Sequence, residues 1–496
     1  MPYTTLFRDS LILMTLCVSP LLAIADSHSD SAKPTLQARL DHPEMRGTLA
    51  VLDAWIESVR TYDEVPGISV GLVDGQDLIW QRGYGYSNLR RKRPADADTL
   101  YSICSISKLF TAIGVMQLRD QDKLTLRDPV GKHLDWFTIE QRHAASGPAT
   151  VESLLTHSSG LPRESDFDYW NGPDFPFPTR EEMIARLSEQ QTLYPAQSLF
   201  QYSNLAITLA GEIVQAVSGT DYQDYMKSQI LDPLGLSDTR TYYPEELRGK
   251  ALAIGYTGMG RDKKRRPVEP FFTRGITAAA GFTSSVNDLA KFAMWQFALL
   301  ENGGDKVLAA NTLREMHRVH WVDPDWETTW GLGFAVRQVG DMTVVSHGGG
   351  CPGYITNFSM NPAARTAAIV LTNAGDGPAG RMATTALMML TTASKAAETP
   401  ADDPVPDYSM YEGNFGFSPW GGELAIRQWG DQLVAIDLPT RNLEDAMEKL
   451  EHRDGHVFVR LSEDGEPRET WTFELGEDGL ATRVKSHSFY ANRIAD

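Results

Sequence analysis

Apolar residues recur at helical spacing from Leu49 through Val51, Leu52, Trp55 and Ile56 to Val59, which predicts an amphipathic helix. The period then changes. Ile68 to Val73 is a short apolar run, Asp74-Gly75 marks a turn and Leu78 to Tyr86 follows, so a hairpin is predicted. From 105 to about 300 the pattern is mainly helical with long loops. From 330 to 372 strands return, among them Thr343–Ser346 and Ala367–Leu371. Strands and a helix at both ends with helices between predict a mixed α/β domain. Pro400, Asp402, Asp403, Pro404 and Pro406 read as a linker. Beyond it, short strands alternate with Gly turns: Glu423–Trp429, Gln432–Leu438, Val457–Leu461, Thr470–Leu475 and Ala481–Phe489. A small β-barrel of about 90 residues is expected there.

The amino terminus breaks the pattern. Arg8, an apolar stretch from Leu11 to Leu22 and the small-x-small run Ala23-Ile24-Ala25 fit a cleaved signal peptide. Leu16 before Cys17 is too bulky for a lipid-attachment signal. The predicted organisation is a signal peptide at 1–25, a flexible lead-in at 26–45, the α/β domain at 46–398, a linker at 399–406 and the barrel at 407–496. Export to a periplasm or the medium is expected, with no stable membrane insertion after cleavage. An uncleaved signal anchor is the alternative.

The chain has 496 residues, enough for two domains, and 42% hydrophobic and 22% charged residues are ordinary for a globular protein. A formal charge of −19 argues against nucleic acid and anionic membrane surfaces as partners. The one basic run, Lys263 to Arg266, reads as a solvated loop. The eleven His are scattered and no Cys/His cluster has zinc spacing, so neither a metal nor a cofactor is expected.

Three segments carry chemistry. Ser105-Ile106-Ser107-Lys108 is an S-x-x-K opening an amphipathic segment. At helical spacing Ser105 and Lys108 share a face. A serine hydroxyl needs a base to become a nucleophile, and a lysine serves if burial lowers its pKa. Tyr202-Ser203-Asn204 precedes a helical run ending at Gly219; Tyr202 can shuttle a proton, and Asn204 can cap the helix or bind substrate. Three other Y-x-N triplets begin at Tyr86, Tyr169 and Tyr490, but none starts a helix after the S-x-x-K. Finally, His347-Gly348-Gly349-Gly350 ends the strand Thr343–Ser346, where glycines let backbone approach a ligand.

In this order the segments resemble the signatures of the serine β-lactamase and penicillin-binding-protein superfamily. The Y-S-N form is similar to class C β-lactamases, D-aminopeptidases and family VIII esterases. Val65-Pro66-Gly67, the run from Leu154 to Pro162, Trp330-Gly331-Leu332-Gly333 and Leu371-Thr372-Asn373 support the likeness, which covers roughly 47–395. It implies an α/β domain with an antiparallel sheet, helices on both faces and an all-helical region. The segment 405–496 resembles a lipocalin-like barrel. The likeness makes Ser105 the acylated nucleophile and Lys108 with Tyr202 its proton carriers. It places an oxyanion hole at the N–H groups of Ser105 and Gly350, and substrate contacts at Asn204, His347, Gly348 and Gly349. His157 is a landmark read as structural. Some class A carbapenemases bridge the residue before the serine to one just past their third motif, which here implies a disulfide between Cys104 and Cys351; two separate buried thiols are the alternative.

One departure shapes the functional expectation. His347 stands where the family has a lysine that helps bind carboxylates, and a neutral imidazole binds them less well. A hydrolase of small esters, amides or peptides, of esterase or D-aminopeptidase type, is therefore expected. A β-lactamase or D-Ala-D-Ala carboxypeptidase, and a non-hydrolytic peptidoglycan sensor, are the alternatives. Gly67-Ile68-Ser69-Val70-Gly71 also fits the hydrolase elbow G-x-S-x-G, yet Ser69 sits inside an apolar strand rather than at a strand-to-helix turn. The oligomeric state is not legible.

Overall fold

The computed structural model describes residues 34–400, 404–462 and 464–494; the signal-peptide assignment and residues 401–403 of the linker lie outside them. The first predicted helix is α1, Pro43–Tyr62. The His42 ring accepts the Glu44 N–H at 3.3 Å, and Pro43 occupies the first turn, where a missing N–H costs nothing. The lead-in assignment is corrected over its described part. Leu36–Asp41 is helical with Thr35 as its cap, and Arg39 forms ion pairs with Asp74 and Asp77.

The hairpin is β1 (Gly67–Asp74) and β2 (Asp77–Asn88), turning at Gly75-Gln76. Gly75 takes a φ of 64°, which suits a two-residue turn. Four more strands follow late in the chain: β3 (Ala335–Val339), β4 (Met342–Cys351), β5 (Tyr354–Asn361) and β6 (Thr366–Thr372). The antiparallel order is β2-β1-β6-β5-β4-β3, with two-residue strands extending both edges to nine strands. Every residue of β6 is buried, because helices cover both faces. Ala368 and Val370 join α1 and the terminal helix, while Ala367, Ile369 and Leu371 join the helical region.

That region is built on α2 (Ser107–Asp120), α3 (Asn204–Ser218) and α4 (Val286–Asn302); the terminal helix is α5 (Ala379–Ala396). Ser107 through Leu118 are all buried, so α2 is the spine of the core. The basic run is corrected in part. Arg265 is buried, donating to the carbonyls of Asp63, Glu64 and Thr257 and pairing with Asp376.

The carboxy-terminal part is a closed eight-stranded antiparallel barrel. Its strands are β7 (Gly413–Gly416), β8 (Glu423–Trp429), β9 (Gln432–Leu438), β10 (Met447–Asp454), β11 (Val457–Leu461), β12 (Pro467–Leu475), β13 (Ala481–Ser486) and β14 (Phe489–Arg493). The predicted strand Ala481–Phe489 is two strands, and β7 and β10 were not predicted. Alternation along β9 sends Leu433 and Ala435 into the barrel and Val434 and Ile436 toward α1. Trp55 of α1 is fully buried there and donates to the Thr440 carbonyl at 3.1 Å. Truncating a packed tryptophan costs about 3–5 kcal/mol, so this contact fastens the barrel to the α/β part. Among the described residues no helix is long and apolar enough to cross a membrane.

Candidate active site

Ser105 lies in a 3-10 turn, Cys104–Ile106, that leads into α2. Residues i and i+3 eclipse in such a turn, so the spacing from Ser105 to Lys108 works as it would in an α-helix. Cys104 holds a left-handed φ of 51°, uncommon for a residue with a side chain. The turn is pinned by Ser107, whose hydroxyl donates to the Cys104 carbonyl at 2.5 Å and accepts the Phe282 N–H at 3.0 Å.

Lys108 is fully buried. Its Nζ lies 2.7 Å from Asn204 Oδ1, 2.8 Å from the Ala279 carbonyl and 3.0 Å from Ser105 Oγ. Burial pushes its pKa well below the ordinary lysine value; Glu164 opposes this shift and Arg163 adds to it. A neutral amine has two N–H donors and one lone pair. The two carbonyl oxygens take the donors, which leaves the lone pair for the Ser105 hydroxyl.

Tyr202 completes the group. Its ring lies 5.0 Å from Lys108 Nζ and it lines one cleft with Ser105. Burial pushes the phenol up to about 12, with the neighbouring Ser105 and Arg163 working against it. His157 packs on this ring at 4.4 Å, and its Nδ1 accepts the Ser203 N–H at 3.2 Å. The landmark histidine thus fixes where the Tyr-Ser-Asn segment sits. Of the two roles open to Asn204, capping falls instead to Ser203, which accepts the Ala206 N–H at 2.9 Å at the start of α3. Asn204 is buried, with Oδ1 on Lys108 and Nδ2 donating to Glu164 at 2.7 Å. Both ends of its amide are therefore occupied within the protein.

The glycines do not end a strand as predicted; β4 continues through them to Cys351. A Cβ on Gly349 would stand 2.2 Å from the Ile103 carbonyl, so only glycine lets β4 lie this close to the serine turn. Cys351 pairs with Tyr354 across the two-residue turn Pro352-Gly353. The pair closing such a hairpin exchanges both hydrogen bonds, so the N–H of Gly350 points away from β5. Pairing with β3 stops at Ser346, which leaves that edge uncovered beside Gly348 and Gly350. Cys104 and Cys351 form a disulfide with Cα atoms 5.8 Å apart, tying the serine turn to this edge.

His347 is buried and its Nδ1 lies 2.6 Å from the Gly348 carbonyl, which can only accept, so the proton is on Nδ1. Among the described residues Nε2 is a buried acceptor without a partner. Burial first, and Lys108 second, push the pKa down to about 3. Ser105, Tyr202, His347 and Gly350 line one cleft of about 440 Å³ together with Arg163, Trp330, Arg337 and Asn357. Ser69 is elsewhere. It is fully buried, donating to the Asp96 carbonyl at 2.6 Å and bonded to Tyr101 at 2.9 Å. Sequence reasoning missed Glu164, which binds Asn204 and Tyr169, and the cleft arginines. Glu164 follows the Leu154–Pro162 segment closely, and that adjacency was the one available signal.

Residues 52–393 match the family model described as Beta-lactamase, more than half of the chain, so this protein belongs to that family. It is similar to Beta-lactamase-like protein 2 of Dictyostelium discoideum, 27% identical over 326 residues, 64% of this chain and 58% of that protein. It is also similar to the Unguisins hydrolase ungD' of Aspergillus campestris, 26% identical over 333 residues, 65% of this chain and 59% of that protein. The match thus spans a little under three fifths of each relative's length. Among solved structures, the octameric penicillin-binding protein homologue from Pyrococcus abyssi aligns with a TM-score of 0.62 and 26% identity, covering 89% of this chain and 99% of that one.

Proposed function

We propose that this protein is a serine hydrolase that acts through an acyl-enzyme on a small ester or amide, of esterase or D-aminopeptidase type. The observation that carries this reading is the buried Lys108 amine 3.0 Å from Ser105 Oγ with its other two positions filled. Neutral Lys108 takes the Ser105 proton as the hydroxyl attacks the substrate carbonyl. The oxyanion settles between the N–H groups of Ser105 and Gly350. The proton gained by Lys108 passes through the Tyr202 hydroxyl to the leaving group, so both groups return to their resting forms. Water then attacks the ester with these roles reversed.

His347 supports the substrate side. A neutral imidazole at the cleft wall offers a carboxylate no charge to pair with, which suits uncharged esters and amides better. Family membership and the hydrolase named among the relatives support the reaction class. A second reading, β-lactamase or D-Ala-D-Ala carboxypeptidase, draws support from Arg163 and Arg337, two guanidinium groups lining the cleft. A panel of p-nitrophenyl esters, D-amino-acid amides, D-Ala-D-Ala peptides and nitrocefin separates the two. Turnover of esters or D-amino-acid amides in preference to the carboxylates is the expected result. Turnover of carboxylate substrates alone overturns the first reading in favour of the second.

A further inference from the structure

The nitrogen bases around Ser105 carry no charge. Lys108 is buried, His157 accepts the Ser203 N–H at Nδ1, and His347 has its one proton on Nδ1. Two guanidinium groups line the same cleft. Arg337 donates to Thr384 of α5 at 3.1 Å. Arg163 stands over the reacting groups instead. Its Cζ lies 5.1 Å from the centre of the Tyr202 ring, and Lys108 Nζ lies 5.0 Å from the same centre, both within reach of a cation–π contact. The backbone sets this position: the Arg163 carbonyl accepts the N–H groups of Asn204 at 2.8 Å and Leu205 at 3.3 Å, the first two residues of α3. The side chain turns back over Tyr202. Glu164 Oε1 holds it there, 3.3 Å from Arg163 Nε, while accepting from Asn204 Nδ2 at 2.7 Å.

A fixed positive charge repels an ammonium and attracts a phenolate, so this arrangement favours the free amine of Lys108 and eases movement of a proton through Tyr202. Among the described residues, Arg163, Glu164, His157 and His347 are the ionisable groups around the pair, and the two histidines are neutral. Burial is the first cause of the shift at Lys108 and at Tyr202; beyond it, Glu164 raises both and Arg163 lowers both. Resting on the hydrolase reading above, we propose that Arg163 is a positioning residue for the Ser105 proton: its guanidinium over the Tyr202 ring keeps Lys108 ready to accept that proton and hastens its passage to the leaving group. Arg163 acts through Lys108 and Tyr202, a task that requires no carboxylate on the substrate.

The rate at which an uncharged fluorophosphonate labels Ser105, followed against pH in the full chain, tests this. The probe needs an activated serine but no substrate group for an arginine to bind. The Arg163 side chain is 60% exposed and its anchoring carbonyl survives substitution, so the variants keep the fold. Labelling rises with pH as Lys108 loses its proton. Solvent screens an exposed charge, so in Arg163→Gln this rise is expected about half a pH unit higher, about threefold slower labelling on the acid side, with the two profiles converging at high pH. Arg163→Lys is expected to keep the original profile. An unshifted profile in Arg163→Gln, a loss equal at every pH, or the same shift in Arg163→Lys overturns the proposal alone. Absence of Ser105 labelling in the unaltered protein overturns the hydrolase reading with it.

Discussion

At the scale of single residues the site turns on which groups are neutral. Lysine, nearly always charged at a surface, is here enclosed by α2, α3 and the Ala279 segment, and burial favours the free amine. His347 is neutral for the same reason. Its replacement by lysine returns a donor to the cleft edge. His347→Lys is therefore expected to raise kcat/KM for carboxylate-bearing substrates such as cephalosporins relative to neutral esters, by about tenfold if one charge-assisted bond is gained. Relative rates on paired substrates check this; an unchanged ratio contradicts the role given to His347. Ser105 and Lys108 were legible because a spacing of three survives the change from α-helix to 3-10 turn. Glu164 was not, because its adjacency to the Leu154–Pro162 segment does not reveal that an amide 40 residues on will bond to it. Asn204 was left between helix cap and substrate contact for a related reason. Ser203 competes for the same role, and only the tertiary contact with Lys108 decides between them.

At the scale of elements, two short pieces are held together covalently. The serine turn and the β4 edge meet through the Cys104–Cys351 bond, which spans 247 residues of sequence. A loop of that length implies up to about 5 kcal/mol in the chain-entropy account. Cys351→Ser is expected to lower stability by up to that amount and to lower kcat more than it raises KM, since the oxyanion donors lose their tie. Non-reduced, alkylated protein should show no adduct at Cys104 or Cys351 in a peptide map. Adducts at both in protein recovered from an oxidising compartment contradict the pairing. Elements were legible where burial imposes a period. Strands β8, β9 and β11 matched their patterns to the residue. Strand β10 reads Met-Glu-Lys-Leu-Glu-His-Arg-Asp and buries only Leu450, so hydropathy offered no alternation to find. The glycines of β4 looked like a strand end because their extended form depends on close approach to Ile103, a contact distant in sequence.

At the scale of the whole molecule the buried neutral bases set how stability follows pH. His317 and His347 are pushed down to about 3 and His157 well below 6.5, in each case chiefly by burial. Below pH 6.5 the unfolded chain takes up protons that the folded chain refuses, so stability falls as pH drops from about 6.5 toward 3. Lys108 acts with the same sign: burial lowers its folded pKa below the unfolded 10.5, so between the two its contribution rises with pH. Thermal unfolding followed from pH 7 to pH 4 should show a falling Tm; a flat profile contradicts the burial of these groups as neutral bases. The assignment of Ser105 as the nucleophile is tested most directly by locating the covalent adduct. Incubation with a fluorophosphonate probe followed by peptide mapping should place one adduct on Ser105, and Ser105→Ala should lose both labelling and turnover while keeping its fold. An adduct on another serine, or normal labelling and turnover in Ser105→Ala, contradicts the account.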